Sequence, residues 1–315
     1  MSAATSSSHL HAADGRLRPG LRIFVVVVVF LAGMSLAAVP QLWLDGAVAT
    51  LLQAALTLPL AIGIFLILAP RLDRRPIRSY GMRVDRAWWA DLLAGIVIGA
   101  GVIATALLVL LGGGWAQIDE VWSAGTAQPV VGAALLASLL LAITVGLGEE
   151  LVFRGYVITN LAEVGAARRS EPMAVLGAVL LSIPIFATPH VFRIDAPGTA
   201  PAGLALLHLV AMGALFGLAY ATTGRLGLPL GIHIAHHLGV VSIVGMRGEF
   251  SGGSATILRI STEGPSALVG VSGGAQLVGV AVGFVGLWIW LRVRGRPHLV
   301  VSIAGADDRT TTPPR

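Results

Sequence analysis

The sequence contains neither cysteine nor lysine among its 315 residues, and only 12% of the residues are charged. Without cysteine the protein has no disulfide, no thiolate zinc ligand and no thiol nucleophile. Without lysine it lacks the residue that a Walker-type phosphate loop requires. The charged fraction is about half of that in an ordinary water-soluble domain. These absences exclude several enzyme classes and argue against a soluble globular domain.

Apolar residues are abundant instead, since 56% of the chain is hydrophobic and the mean hydropathy is +0.85. We predict an all-α, polytopic transmembrane helical bundle of about eight spans, each needing about 20 residues. A single transmembrane domain at 21–296 is expected, between a disordered tail at 1–20 and a second tail at 297–315. The predicted spans are at about 21–43, 47–69, 88–111, 129–153, 172–189, 201–222, 227–246 and 269–291.

The basic residues other than histidine are all arginine, and they concentrate in alternate segments between the apolar stretches. By the positive-inside rule these segments face the cytoplasm, which predicts a multi-pass protein of the cell membrane with both termini cytoplasmic. The net charge of +5 is therefore interpreted as a topology signal beside the lipid bilayer, and no nucleic-acid partner is expected. The arginine-rich segments are the N-terminal tail, 70–87, 154–171 and the C-terminal end.

Two adjacent glutamates, Glu149 and Glu150, end the fourth apolar stretch, where an ionised side chain is costly unless it is paired or hydrated. On a helix, Glu150 and Arg154 share one face in the favourable order for an ion pair. Glu149 points about 100° away. We predict that Arg154 neutralises and orients Glu150, while Glu149 faces a cavity as a general base. The alternative is an ordinary salt bridge at the end of the span.

Histidines accompany the later apolar stretches. His233 and His237 share a helix face, so they can bind a metal ion or donate hydrogen bonds to one oxygen; the alternative is hydrogen bonding between helices. His236 is also three residues from His233, so the pairing is not unique. A lone histidine at a span end, such as His190, is more often an interfacial residue than a catalyst. His208 lies in the middle of a span and is interpreted as structural.

Other hydrolase patterns are missing or misplaced. The sequence has no HExxH zinc motif and no Gly-x-Gly-Asp aspartyl motif. Ser272 lies in a short Gly-x-Ser-Gly like that of rhomboid-type serine proteases, but the histidine that follows it is His298 in the tail. Because a serine nucleophile needs a base within reach, Ser272 is interpreted as a helix-start residue. Glutamate and histidine remain as the catalytic candidates.

Three motifs that follow one another along the chain resemble those of the CPBP family, also called the Abi family. This family contains the type II CAAX prenyl endopeptidases and the bacteriocin-processing or immunity proteins. The resemblance covers about residues 129–245. It implies an all-helical intramembrane endopeptidase that cuts peptides near the membrane surface. The motifs are Glu149-Glu150-x-x-x-Arg154, Phe186-x-x-x-His190 and His233-x-x-x-His237.

By this resemblance Glu149 corresponds to the catalytic glutamate and His190 to the second water-binding residue, with Glu150 and Arg154 in support. His233 is the first residue of the final motif. The last residue of that motif is usually asparagine or aspartate in the family, whereas this chain has His237. In a metal-free mechanism Glu149 and His190 activate water, and the two histidines of the final motif, His233 and His237, stabilise the oxyanion. Alternatively, the four residues Glu149, His190, His233 and His237 form a zinc site that activates a bound water. The sequence leaves both mechanisms open.

The leading prediction is thus an intramembrane protease, dependent on glutamate or on zinc, with a peptide or membrane-protein substrate. The first alternative is a non-proteolytic scaffold or immunity-type binding protein of the same fold, because a fold alone does not fix a function. A transporter with an intramembrane proton relay ranks third, since the sequence shows neither inverted repeats nor broken helices.

Overall fold

The computed structural model describes residues 10–12, 14–123, 131–191, 200–245, 255–270 and 272–295, so the predicted tail at 297–315 lies outside the described residues. Two strands, β1 (Ala116–Ser123) and β2 (Thr256–Thr262), pair antiparallel. The remaining architecture is helical, which confirms the predicted all-α transmembrane bundle. Its long helices are α1 (Pro19–Ala37), α2 (Gly46–Asp73), α3 (Arg86–Gly112), α4 (Val131–Ala166), α5 (Glu171–Val191), α6 (Ala202–Thr223), α7 (Gly227–Ile243) and α8 (Gly274–Val293).

Seven of the described helices are long and apolar enough to cross a membrane, and α7 is a shorter apolar helix. At 1.5 Å per residue α7 is about 26 Å long, slightly less than the hydrocarbon core of a bilayer. It nevertheless runs from one end of the bundle to the other. Just before its start, the Leu226 N–H donates to the Gly81 carbonyl between α2 and α3. Beyond its end, β2 pairs with β1, which follows α3. The chain therefore crosses the bundle along α7, although seven of the described helices, and not the predicted eight, are long enough to span a membrane.

The fourth span is longer than predicted. The sequence prediction ended it at residue 153 and assigned 154–171 to a loop, whereas α4 continues to Ala166. Arg154 does not end the helix, because it is buried and neutralised by Glu150. The apolar residues that follow it belong to the core. Glu149 therefore lies near the middle of a 36-residue helix, and not at the end of a span.

Glycines bring α7 and α3 into backbone contact. A Cβ on Gly231 would lie 2.2 Å from the Leu92 carbonyl oxygen, and one on Gly95 would lie 2.2 Å from the Leu228 carbonyl oxygen. A residue with a side chain at either position would force the helices apart, so small residues are required at this interface. The contact fixes the depth at which α7 presents His233 to the bundle interior.

A buried polar cluster joins α1, α2 and α4 at the arginine-rich end. Its centre is the fully buried Asp73, the last residue of α2. Burial, together with the Asp73 carboxylate, raises the pKa of the Tyr80 hydroxyl well above its ordinary value of 10. Because two of the donors to Asp73 come from α4 and the others from α1 and from the segment after α2, the cluster holds the second half of α4 in place. The donors to Asp73 are Arg22 Nη1 at 2.7 Å, the Tyr80 and Tyr156 hydroxyls at 3.0 Å each and Asn160 Nδ2 at 2.8 Å.

The N-terminal segment is bound to this cluster. His11 and Leu17 form an isolated β-bridge, and Arg16 pairs with the Glu163 carboxylate of α4 and contacts the Asp73 carbonyl oxygen. These contacts tie part of the N-terminal segment to α4 and to the end of α2. From the sequence the arginines of this segment were interpreted only as topology signals. In the structure, Arg16 and Arg22 also bind acidic groups of α2 and α4.

Candidate active site

The middle of α4, Glu150–Ile158, is a π-helical segment whose residues are all buried. A π-helical turn is wider than an α-helical turn, and such segments occur often at functional sites. The wide turn still keeps Glu150 and Arg154 on one face, where they form the predicted ion pair. The π-helical segment begins directly after Glu149. The side chains of the two adjacent glutamates therefore lie in different surroundings.

Glu150 is the centre of the candidate site. Its Oε1 atom accepts a hydrogen bond from Arg154 Nη1 at 3.1 Å and another from His233 Nδ1 at 2.8 Å. An ionised carboxylate can only accept hydrogen bonds, so Nδ1 of His233 carries a hydrogen. The side chain of Glu150 is fully buried and that of Arg154 is 2% exposed. The ion pair therefore has His233 as a third member, which the sequence did not connect with it.

Glu149 is the more accessible of the two glutamates, with 14% of its side chain exposed. Its Oε2 atom lies 3.9 Å from Nε2 of His233, the ring nitrogen that does not contact Glu150. This separation is too long for a direct hydrogen bond, but one water molecule can bond to both atoms. Glu149 and Glu150 thus lie on either side of the His233 imidazole.

Two phenylalanines from α5 and α6 surround the charged groups. Cζ of Arg154 lies 4.1 Å from the ring centre of Phe186 and 4.7 Å from that of Phe216. Phe216 also stacks on His233, with ring centres 5.2 Å apart and ring planes at 11°. The aromatic faces attract the guanidinium and keep water away from it. Both helices therefore help to orient the cluster formed by α4 and α7.

His190 lies beside this aromatic pair. Its ring centre is 4.9 Å from that of Phe186, and its Nδ1 lies 3.0 Å from the Phe186 carbonyl oxygen. A carbonyl accepts hydrogen bonds, so Nδ1 carries the hydrogen and Nε2 can accept one from water. Between the described residues His190 and Glu149 the structure shows no ion pair. His237 lies one helical turn beyond His233 and is partly buried.

The zinc alternative drawn from the sequence takes Glu149, His190, His233 and His237 as ligands. In the described parts of the chain, no group of three or more His, Asp or Glu side chains could hold a metal ion. The structure joins Glu149 and His233 but does not assemble the four residues into one ligand set. The mechanism proposed below is therefore the metal-free alternative, and zinc dependence is tested separately.

Phe216 was not identified from the sequence, and Phe186 was treated only as the first residue of a motif. An apolar residue within an apolar span carries no signal of its own. The sequence signal for such neighbours was Arg154, because a buried guanidinium needs aromatic or acidic neighbours on other helices. That signal predicts the kind of neighbour but not its position.

The fold and the cluster define a membrane-integral helical protein whose α4 and α7 bring glutamate, arginine and histidine together in the bundle interior. Residues 131–239 match the family model described as type II CAAX prenyl endopeptidase Rce1-like. The match supports the resemblance to the CPBP/CAAX protease family that the three motifs carry, and the matched segment lies within the predicted core at 129–245. No curated protein and no solved structure matches the chain.

Proposed function

We propose that the protein is an intramembrane endopeptidase in which Glu149 activates a water molecule for attack on a peptide bond. The observation that carries the proposal is the position of Glu149 Oε2, 3.9 Å from His233 Nε2 and beside the buried Glu150–Arg154 pair. A carboxylate and an imidazole that share one water are suited to general base catalysis. The family match at 131–239 supports the same reaction class.

In the proposed reaction Glu149 takes a proton from the water, and the water oxygen bonds to the peptide carbonyl carbon. The carbon–nitrogen bond then breaks, and the proton held by Glu149 passes to the leaving amine. Glu150 stabilises the doubly protonated form of His233, whose Nε2–H donates to the developing oxyanion together with His237. His190 accepts a hydrogen bond from the attacking water through Nε2.

The substrate is a peptide segment in or near the membrane. The family name refers to prenylated CAAX peptides, so the first substrates to test are matched fluorescence-quenched peptides with and without a prenyl group. The arginine-rich end of the bundle, with Arg16, Arg22 and Arg75 around Glu163, is proposed to face the cytoplasm of a cell membrane.

The test is Glu149→Gln in detergent-purified protein. This isosteric change removes the base, and we expect the rate of peptide cleavage to fall by about 10²- to 10⁴-fold. Glu171→Gln is the matched control, because Glu171 is exposed at the start of α5. Full activity of the Glu149 variant would reject its catalytic role and favour the non-proteolytic binding protein of the same fold.

Metal dependence is tested separately, because the sequence alone left zinc open. We expect purified protein to contain much less than one zinc per chain and to keep its activity after dialysis against a chelator. Stoichiometric zinc, with activity that is lost on chelation and restored by zinc, would contradict the metal-free mechanism.

A further inference from the structure

His208, on α6, is a buried imidazole outside the cluster described above. It is 5% exposed, and neither of its ring nitrogens has a hydrogen-bond partner in the described part of the chain. A buried polar group without a partner destabilises a folded protein. The imidazole is therefore unfavourable in the protein alone, and a bound group that hydrogen-bonds to it would remove the penalty.

His208 lies against His236 of α7, with ring centres 5.8 Å apart and ring planes at 32°. The same two helices hold Phe216 against His233. His236 follows His233 by three residues, or about 4.5 Å along the helix axis. The two ring pairs are thus neighbours in one helix interface, and the His208–His236 pair lies farther from the arginine-rich end. A peptide with its carbonyl carbon near Glu149 would reach His208 by extending along this interface, away from the arginine-rich end.

We propose that His208 forms a subsite that hydrogen-bonds the backbone of the substrate next to the bond that is cut; the proposal rests on the endopeptidase function above. A neutral imidazole such as that of His208 offers one donor and one acceptor, and a peptide group offers the complementary acceptor and donor. A peptide must lose helical structure before its carbonyl can be attacked, and its freed backbone groups then need protein partners inside a membrane. His208 is such a partner in the interior of the bundle.

The chemistry favours a neutral peptide group over a metal ion as the occupant. No third histidine or carboxylate joins the pair in the described residues to complete a ligand set. A single trapped water is the competing occupant. Water and substrate backbone are distinguished by whether the histidine affects peptide binding.

The test compares His208→Leu with the parent protein, using the fluorescence-quenched peptide that the parent cleaves best. We expect KM to rise by about five- to tenfold, the cost of one lost hydrogen bond, while kcat changes less than about twofold. The apparent Tm should rise, because leucine removes the unpartnered nitrogens. His208→Gln keeps a polar side chain, so its KM should lie closer to the parent value than that of His208→Leu. Leu206→Met, at a position that is 45% exposed on the same helix, is the control for changes to α6.

A second measurement separates this subsite from the proposed reaction. Binding of the same peptide, labelled with a fluorophore, is measured by anisotropy with Glu149→Gln protein, with and without His208→Leu. A weaker Kd in the double variant supports the subsite even if no cleavage is found in the parent. If His208→Leu leaves both KM and Kd within about twofold, the histidine holds no more than a water and the proposal is overturned.

Discussion

Replacing Glu150 with glutamine separates the structural role of Glu150 from the catalytic role that we propose for Glu149. The change keeps the shape of the side chain but removes its charge, and Glu150 is the buried partner of both Arg154 and His233. Glu149→Gln is the matched comparison. It makes the same chemical change one residue earlier, at a side chain whose described contact with His233 is 3.9 Å long.

The expected loss follows from burial. Glu150 is fully buried and Arg154 is 2% exposed, so glutamine leaves a guanidinium in the bundle without its counter-charge. Removing one partner of a buried ion pair costs about 3–5 kcal/mol. The flanking rings of Phe186 and Phe216 offset part of this cost, so we expect about 3 kcal/mol. The catalytic rate should fall as well, by about 10²- to 10³-fold, because His233 loses the carboxylate that stabilises its donating form.

The assay combines thermal unfolding in detergent with peptide cleavage by the fraction that remains folded. We expect Glu150→Gln to lower the apparent Tm by about 5–10 °C. Glu149→Gln should leave Tm within about 2 °C, because its partly exposed side chain neutralises no buried charge. The double variant Glu150→Gln/Arg154→Met should regain stability without regaining activity, since it removes both charges.

Equal destabilisation by Glu149→Gln and Glu150→Gln would refute the division of roles between the two side chains. The same conclusion would follow if the Glu150 variant kept both its Tm and its cleavage rate. If Glu150→Gln/Arg154→Met recovered activity together with stability, Glu150 would serve the fold alone and His233 would not depend on it.

Three further predictions concern residues around the site. Phe216→Leu should lower kcat by about tenfold with little change in KM, because it removes the ring stacked on His233; an unchanged kcat would exclude this orienting role. Asp73→Asn should lower stability by about 3 kcal/mol in denaturation experiments, because the buried Arg22 loses its closest carboxylate; an unaltered Tm would contradict this. Asp85 caps α3 by accepting from the Trp88 N–H, which lowers its pKa below the ordinary 3.8. Its contribution is therefore present above pH 3.8 and lost as the pH falls through the folded-state pKa, so the Tm difference between Asp85→Ala and the parent should shrink in acid.

The candidate site could be predicted in part. The spacing of Glu150 and Arg154 predicts their ion pair because the contact is local to one helix. The approach of His233 to both glutamates is not local, since it depends on how α7 packs on its neighbours. The continuation of α4 beyond Arg154 was not predicted for a related reason. A hydropathy scale treats an arginine as an exposed residue that ends an apolar span, whereas Glu150 neutralises Arg154 inside the bundle.

The amino-acid sequence by itself determined the membrane class, the helical bundle and the three motifs, because apolar run length and residue spacing are properties of single segments. The tertiary structure alone decided which ring nitrogen of His233 contacts which glutamate and where Phe186 and Phe216 lie. It also decided that His208 has no hydrogen-bond partner among the described residues. These features depend on contacts between helices far apart in the chain. Apolar residues on every face of a span leave its rotation about its own axis undetermined until the helices pack.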